Sequence, residues 1–179
     1  LGLTEMWVHK RSGTVYPTAP GTLSGEFDAN LYEFKNAKFG EIVSDFKQFK
    51  MMLTKIRKKR PFKILLTVSP VPLTATASGK HGLLSSVFAK STLRSVAGHL
   101  SDEDSDIDYF PSYEIVTNPR LHSTAFTHNL RSVRNETVDI VMRHFFNEHP
   151  AVERRIEKLT SDISSHTTQE EIQCEEVLM

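Results

Sequence analysis

The hydrophobic positions fall into blocks of different period, and the period assigns the elements. Phe39, Ile42, Val43, Phe46, Phe49, Leu53 and Ile56 recur at spacings of three and four, which predicts an amphipathic helix over 39–58. Lys55, Arg57, Lys58, Lys59 and Arg60 complement its dipole at the last turn, and Pro61 stops it. Phe62 to Val68 is nearly continuous in apolar residues, the pattern of a parallel strand buried on both faces. The two prolines of Ser69-Pro70-Val71-Pro72 end its ladder, because proline has no N–H to donate. Ala89, Leu93, Val96, Ala97 and Leu100 form one stripe, predicting a second helix over 84–100. Helix, buried strand, loop and helix in this order is the α/β pattern.

Elsewhere the signal is weaker. Met6-Trp7-Val8 is a short apolar run followed by a turn at Arg11-Ser12-Gly13. Residues 16–30, with Pro17, Pro20, Gly21 and Gly25, read as a long loop, either functional or an inert surface excursion. Ser101 to Asp108 reads as a solvated acidic loop, and Tyr109 to Ile115 as a short final strand with its exit. A helix over 135–147 carries Val138, Val141, Met142 and Phe145 on one face, with Asn135 as its N-cap. His149-Pro150 breaks it, a less apolar helix is predicted over 151–163, and the polar, acidic last dozen residues are expected to be disordered. The expected organisation is a domain over 1–148 and a C-terminal helix and tail over 149–179.

Composition narrows the class. At 179 residues the chain supports one hydrophobic core plus a tail. Lys plus Arg and Asp plus Glu balance at 22 each, so no whole-chain field attracts nucleic acid or an anionic membrane. The basic cluster Lys55–Arg60 is then expected to be a solvated helix end, not a nucleic-acid patch. A single cysteine, Cys174, allows no internal disulfide and points to a reducing, cytoplasmic setting. No apolar stretch approaches the roughly 18 residues of a membrane span. The opening Leu1-Gly2-Leu3-Thr4 carries no start or targeting signal, which suggests an N-terminally truncated domain that begins inside or just after a core strand.

Candidate chemistry concentrates in two loops, residues 2–5 and 69–80, because ligands of open α/β sheets bind beyond the carboxyl ends of the strands. The second loop holds Ser69, Thr74, Thr76 and Ser78 ahead of Gly79, Lys80 and His81. Gly79-Lys80 lacks the earlier glycine and the following Ser or Thr of a phosphate loop. Ser69 ahead of two prolines is either a rigidly displayed hydroxyl or a turn cap. Asp102, Asp104 and Asp106 mimic the start of a calcium loop, but the glycine at its sixth position and the glutamate at its twelfth are missing. No metal and no cofactor are expected.

Four strings resemble the GSCFA-domain family: Leu1-Gly2-Leu3-Thr4-Glu5-Met6-Trp7, Thr67-Val68-Ser69-Pro70-Val71-Pro72-Leu73, Lys90-Ser91-Thr92-Leu93-Arg94 and Tyr109-Phe110-Pro111-Ser112-Tyr113-Glu114. The resemblance covers about residues 1–148. It implies a three-layer α/β/α domain of the SGNH-hydrolase (flavodoxin-like) type, with a mostly parallel sheet. That superfamily contains esterases and acyltransferases acting on O-acyl groups, often on carbohydrates, and some bacterial relatives belong to surface-polysaccharide biosynthesis. The implied substrate is a small-molecule or glycan ester, and the oligomeric state is left open.

The resemblance also implies site residues. The nucleophilic serine of the family motif would lie upstream of Leu1. Gly2 and Thr4 fall at the oxyanion block, where Thr4 stands in place of asparagine, or they merely shape the strand exit. The base segment, Asp-x-x-His in the superfamily, aligns with Asn129 and Ser132, and neither side chain titrates near neutral pH. His128 or His122 would serve as base if the loop register slides. Glu5 and Ser69 line the site at strand ends, and Glu114 either touches substrate or anchors Arg94 or Arg120. The rival expectation is a catalytically degenerate protein that binds a glycan or a partner protein.

Overall fold

The apolar stripe of the second predicted helix organises the core. In the computed structural model, which describes residues 1–22 and 26–150, this helix runs over Gly82–Glu103. The other elements, in chain order, are β1 (Glu5–His9), β2 (Val15–Tyr16), β3 (Tyr32–Asn36), α1 (Phe39–Ile56), β4 (Ile64–Leu66), the long helix α2 (Gly82–Glu103), β5 (Ile107–Tyr109), α3 (Ser112–Thr117), α4 (His122–Ala125) and α5 (Asn135–Glu148). The chain divides into two compact units, Leu1–Thr137 and Val138–Met179.

Leu93, Val96, Ala97 and Leu100 of α2 meet Val43 of α1, Leu66 and Val68 at β4, and Ile107 of β5 in one buried cluster. β4 and β5 are parallel, pairing Ile64 with Ile107 and Leu66 with Tyr109. These residues share one pleat face, so both helices cover the same side of the pair. The opposite face carries Leu65, still 43% exposed, and the exposed Asp108. The expected burial of this strand on both faces is therefore corrected: among the described residues, Leu65 has no covering layer that dries it.

The sheet prediction needs a larger correction. The bigger sheet is antiparallel, in the order β2-β1-β3, and only the β4–β5 pair is parallel. A mostly parallel sheet is thus not what the described residues form; they make a mixed α/β fold. Gly13, at φ +69°, makes the tight β1–β2 connection, its N–H donating to the His9 carbonyl at 2.8 Å. In β3 the alternation Tyr32-Glu33-Phe34-Lys35-Asn36 turns the aromatic residues to one face and the charged residues to water. That face joins Trp7, which pairs with Phe34 on β3 and Tyr16 on β2.

Boundaries shift for local reasons. α1 ends at Ile56, where the Arg57 N–H donates to Leu53 O and Lys58 and Lys59 turn left-handed (φ 53° and 60°). The acidic segment is no free loop. α2 continues through Glu103, Lys47 pairs with Glu103 at 2.9 Å, Lys50 pairs with Asp104 at 2.6 Å, and β5 starts at Ile107. The predicted final strand at Tyr109–Ile115 is correspondingly displaced, because Pro111 ends the ladder and α3 begins at Ser112. Asn135 is the first residue of α5. The predicted helix over 151–163, the tail and Cys174 lie outside the described residues. No helix among the described residues is long and apolar enough to cross a membrane.

Candidate functional site

Two chain segments leave the carboxyl end of the parallel strands side by side. The Leu1 nitrogen donates to Thr67 O at 2.6 Å, and the Ser69 N–H donates to Leu1 O at 2.9 Å. That pattern sets Leu1 parallel to Val68, on the edge of β4 away from β5. The segment then runs through Gly2 and Leu3 into β1, while the chain after Ser69 forms the loop to α2.

Between them lies a pocket of about 490 Å³, lined by Leu3, Glu5, Trp7, Phe34, Leu73 to Ala77 and Pro17, Thr18, Ala19 and Thr22 of the loop after β2. Both loops singled out from the sequence thus contribute to it. Glu5 and Trp7 alternate to the same face of β1, and Phe34 lies directly across the ladder from Trp7. The ring of Trp7 meets Phe34 edge-on at 5.7 Å and Phe27 at 5.0 Å. Thr76 Oγ1 donates to Glu5 Oε1 at 2.7 Å and lies 2.8 Å from Ser78 Oγ, which is 2.9 Å from the buried Ser85 Oγ of α2. Glu5 has no salt bridge to a basic side chain among the described residues.

Gly2 and Thr4 stand behind this pocket. Thr4 is wholly buried, its Oγ1 without a partner, and its carbonyl accepts from Ala37 N at 2.8 Å. The Gly2 carbonyl accepts from Lys90 Nζ at 2.9 Å. Lys90 is only 3% exposed, and burial pushes its pKa below the usual lysine value. Ser69 is half-buried, and its Oγ accepts from the Val71 N–H at 3.3 Å, which is a turn-capping contact.

Glu114 lies on α3 within a three-residue knot. Its carboxylate receives a short hydrogen bond from Arg94 Nε and one of 2.7 Å from Tyr109 OH, and the Arg94 guanidinium lies 4.2 Å from the Tyr109 ring centre. Burial works against the carboxylate charge, yet the Tyr109 and Arg94 hydrogen bonds prevail and hold Glu114 below the usual carboxylate range. Burial and the Glu114 carboxylate together push the Tyr109 hydroxyl upward. Of the two expected partners for Glu114, Arg94 is the one engaged.

The base segment occupies a different place. Asn129 Oδ1 accepts from Thr127 Oγ1 at 2.8 Å and from the Arg131 and Ser132 N–H groups at 2.9 Å each. Its Nδ2 donates to Ser132 Oγ at 2.9 Å. The pair therefore closes the turn between Phe126 and Val133, which are bridged antiparallel, and Leu130 takes φ +56° at its tip. His128 and His122 are exposed, the latter ring 6.1 Å edge-on from Phe126. None of Asn129, Ser132, His128 or His122 lines the Glu5 pocket.

A family model of GSCFA proteins matches residues 1–145. The chain belongs to the GSCFA family. No curated protein and no solved structure gives a match. The GSCFA match spans the strand-end loops, the Glu114 knot and the Asn129 turn together. Sequence reasoning missed Trp7 and Phe34 as pocket walls and Ser85 and Lys90 as the groups that tie the pocket to α2. Period-two alternation in both strands was the available signal for the aromatic pair.

Proposed function

We propose that this GSCFA chain carries the substrate-holding part of an SGNH-type α/β/α hydrolase or acyltransferase acting on O-acyl esters, with a carbohydrate-linked ester as substrate. The observation that carries the reading is the place of the pocket. It is bounded by the two segments that leave the carboxyl end of β4, and it holds one carboxylate, Glu5, with no salt bridge among the described residues. In this reading a nucleophilic serine attacks the ester carbonyl, and Gly2 and Thr4 belong to the segment that shapes the oxyanion site. Glu5 flanks the substrate from the pocket wall, Ser69 caps the turn that opens the bounding loop, and Glu114 ties α3 to α2 and β5 through Arg94 and Tyr109.

A second reading is favoured by one observation. Every polar atom of the Asn129 side chain is engaged in its turn, and Ser132 is held by it. The positions that align with the base segment therefore support a turn and not proton transfer, so a catalytically degenerate protein that binds a glycan or partner protein is the alternative. One experiment separates the two. The gene product, including any residues preceding Leu1, is assayed with aryl acetates and O-acetylated sugars, and searched for an acyl-enzyme by mass. Turnover that falls about 100-fold in His128→Ala or His122→Ala supports the enzyme. Binding without turnover or acyl-enzyme supports the degenerate reading.

A further inference from the structure

We infer that the Glu5–Trp7 pocket selects an uncharged, hydroxyl-bearing ring and excludes its anionic counterparts. The inference rests on the reading of this pocket as the ligand site, and it adds the rule by which ligands are chosen.

The lining carries it. Glu5 is the single charged side chain among the described residues that bound the pocket. The other polar side chains there are threonines, Thr18, Thr22, Thr74 and Thr76, whose hydroxyls both donate and accept without charge. An ionised carboxylate only accepts. Glu5 Oε1 accepts a hydrogen bond from Thr76 Oγ1, and no described group donates to Oε2. The open lone pairs therefore call for a ligand hydroxyl. Behind Thr76 the chain of hydroxyls passes to Ser78 and Ser85, again neutral, and no basic side chain is among the described residues that line the pocket to balance a second negative charge.

The apolar wall sets the shape of the ligand. Trp7, Phe34, Leu3 and Leu73 present carbon surface, and a ring with one C–H face and hydroxyls at its edge satisfies both halves of the pocket. A pocket of about 490 Å³ lies within the usual range for small ligands. A uronic acid brings its carboxylate toward Glu5 in a site partly withdrawn from water, where like charges repel more strongly than in solution.

Trp7 is the only tryptophan of the chain, so its fluorescence reports on this pocket directly. The chain is titrated at pH 7.5 with the 6-O-acetyl esters of glucose, galactose and N-acetylglucosamine, with glucuronic and galacturonic acids, and with choline. Saturable changes are expected with at least one neutral ester, and binding of the uronic acids about tenfold weaker or worse. In Glu5→Gln the gap closes to within about threefold, because the acids gain affinity once the opposing charge is gone. The inference is overturned if the uronic acids match the neutral esters, if choline binds more tightly than any sugar, or if no probe changes the Trp7 signal. Charge-selective binding without ester turnover overturns only the enzymatic reading. Turnover without charge selection overturns only this inference.

Discussion

Glu114→Gln removes one negative charge and leaves the shape of the side chain, so it isolates what that charge contributes. The carboxylate ties α2, β5 and α3 together through Arg94 and Tyr109. Hydrogen bonds to charged groups contribute about 1.5–3 kcal/mol when well shielded. Here both the Arg94 and Glu114 side chains are 41% exposed, and solvent screening brings the ion-pair part down to about 1 kcal/mol or less. Glutamine retains one acceptor oxygen for Tyr109, so the expected loss at pH 7 is about 1 kcal/mol. The pH dependence fixes the sign. The folded carboxyl is held below its ordinary value, so the unfolded chain binds the proton more tightly. The Glu114 contribution is therefore complete above the unfolded carboxylate pKa of about 4.3 and is lost as pH falls through the lower folded value. Urea denaturation of both proteins at pH 7, 5, 4 and 3 measures the gap. It should be constant down to pH 5 and shrink below that. A gap of the same size at pH 3 would refute the electrostatic account, as would strict additivity of Glu114→Gln with Arg94→Met in a double-mutant cycle.

Three further outcomes test other parts of the fold. Leu93→Ala removes a side chain that is 2% exposed at the centre of the core, and should cost about 3–5 kcal/mol in urea denaturation with an unchanged m-value. A loss under about 1 kcal/mol would mean that α2 is not packed as described. Leu130→Gly relieves the left-handed backbone at an exposed turn tip and should raise stability by a few tenths to about 1 kcal/mol, read as a higher Tm. A lower Tm would show that the turn depends on the leucine side chain. Lys90→Met removes a buried ammonium whose folded pKa is depressed. Wild type should gain stability relative to the variant as pH rises from the folded Lys90 pKa towards the unfolded value near 10.4, because the unfolded chain then holds the extra proton. A flat difference between pH 7 and pH 10.5 would contradict burial of the charge.

How far the sequence revealed the fold depended on whether one period dominated each segment. α1, β4 and α2 were legible because their apolar residues follow a single period and prolines or basic residues mark the ends. β3 was not, because five residues of alternation beside a glycine- and proline-rich stretch give a weak local signal, and its pairing with β1 spans a long loop. β5 was displaced because Asp104 and Asp106 read as water-facing loop, whereas Lys50 of α1 draws both carboxylates in, Asp104 at 2.6 Å and Asp106 at 3.5 Å. That contact is tertiary and has no trace in the local pattern. The GSCFA strings could not say which side chains share a cavity, and Glu5 meets Thr76 only because β1 and the post-β4 loop fold together.

α2 shows why polar positions deserve the same reading as apolar ones. Its C-terminal half obeys the rule, with Leu93, Val96, Ala97 and Leu100 buried. Its N-terminal half inverts it. Ser85, Ser86 and Lys90 are buried, while Leu83, Leu84, Val87 and Phe88 are 51–66% exposed. A helix chosen only for core stability would not bury these polar groups, since each needs a partner to offset its lost hydration. The partners all belong to the two strand-end segments. Ser85 meets Ser78, Ser86 Oγ accepts from the Leu73 N–H at 3.3 Å, and Lys90 donates to the Gly2 carbonyl. One helix face thereby anchors both loops that bound the pocket, with the buried Ala89 among the anchors. The inversion is what a scaffold needs when its inner face must hold irregular backbone in place as well as fill space. Ser85→Ala and Ser86→Ala should accordingly weaken ligand effects on Trp7 fluorescence more than they lower the urea midpoint. The opposite ranking would make these serines ordinary core polar groups and detach α2 from the site.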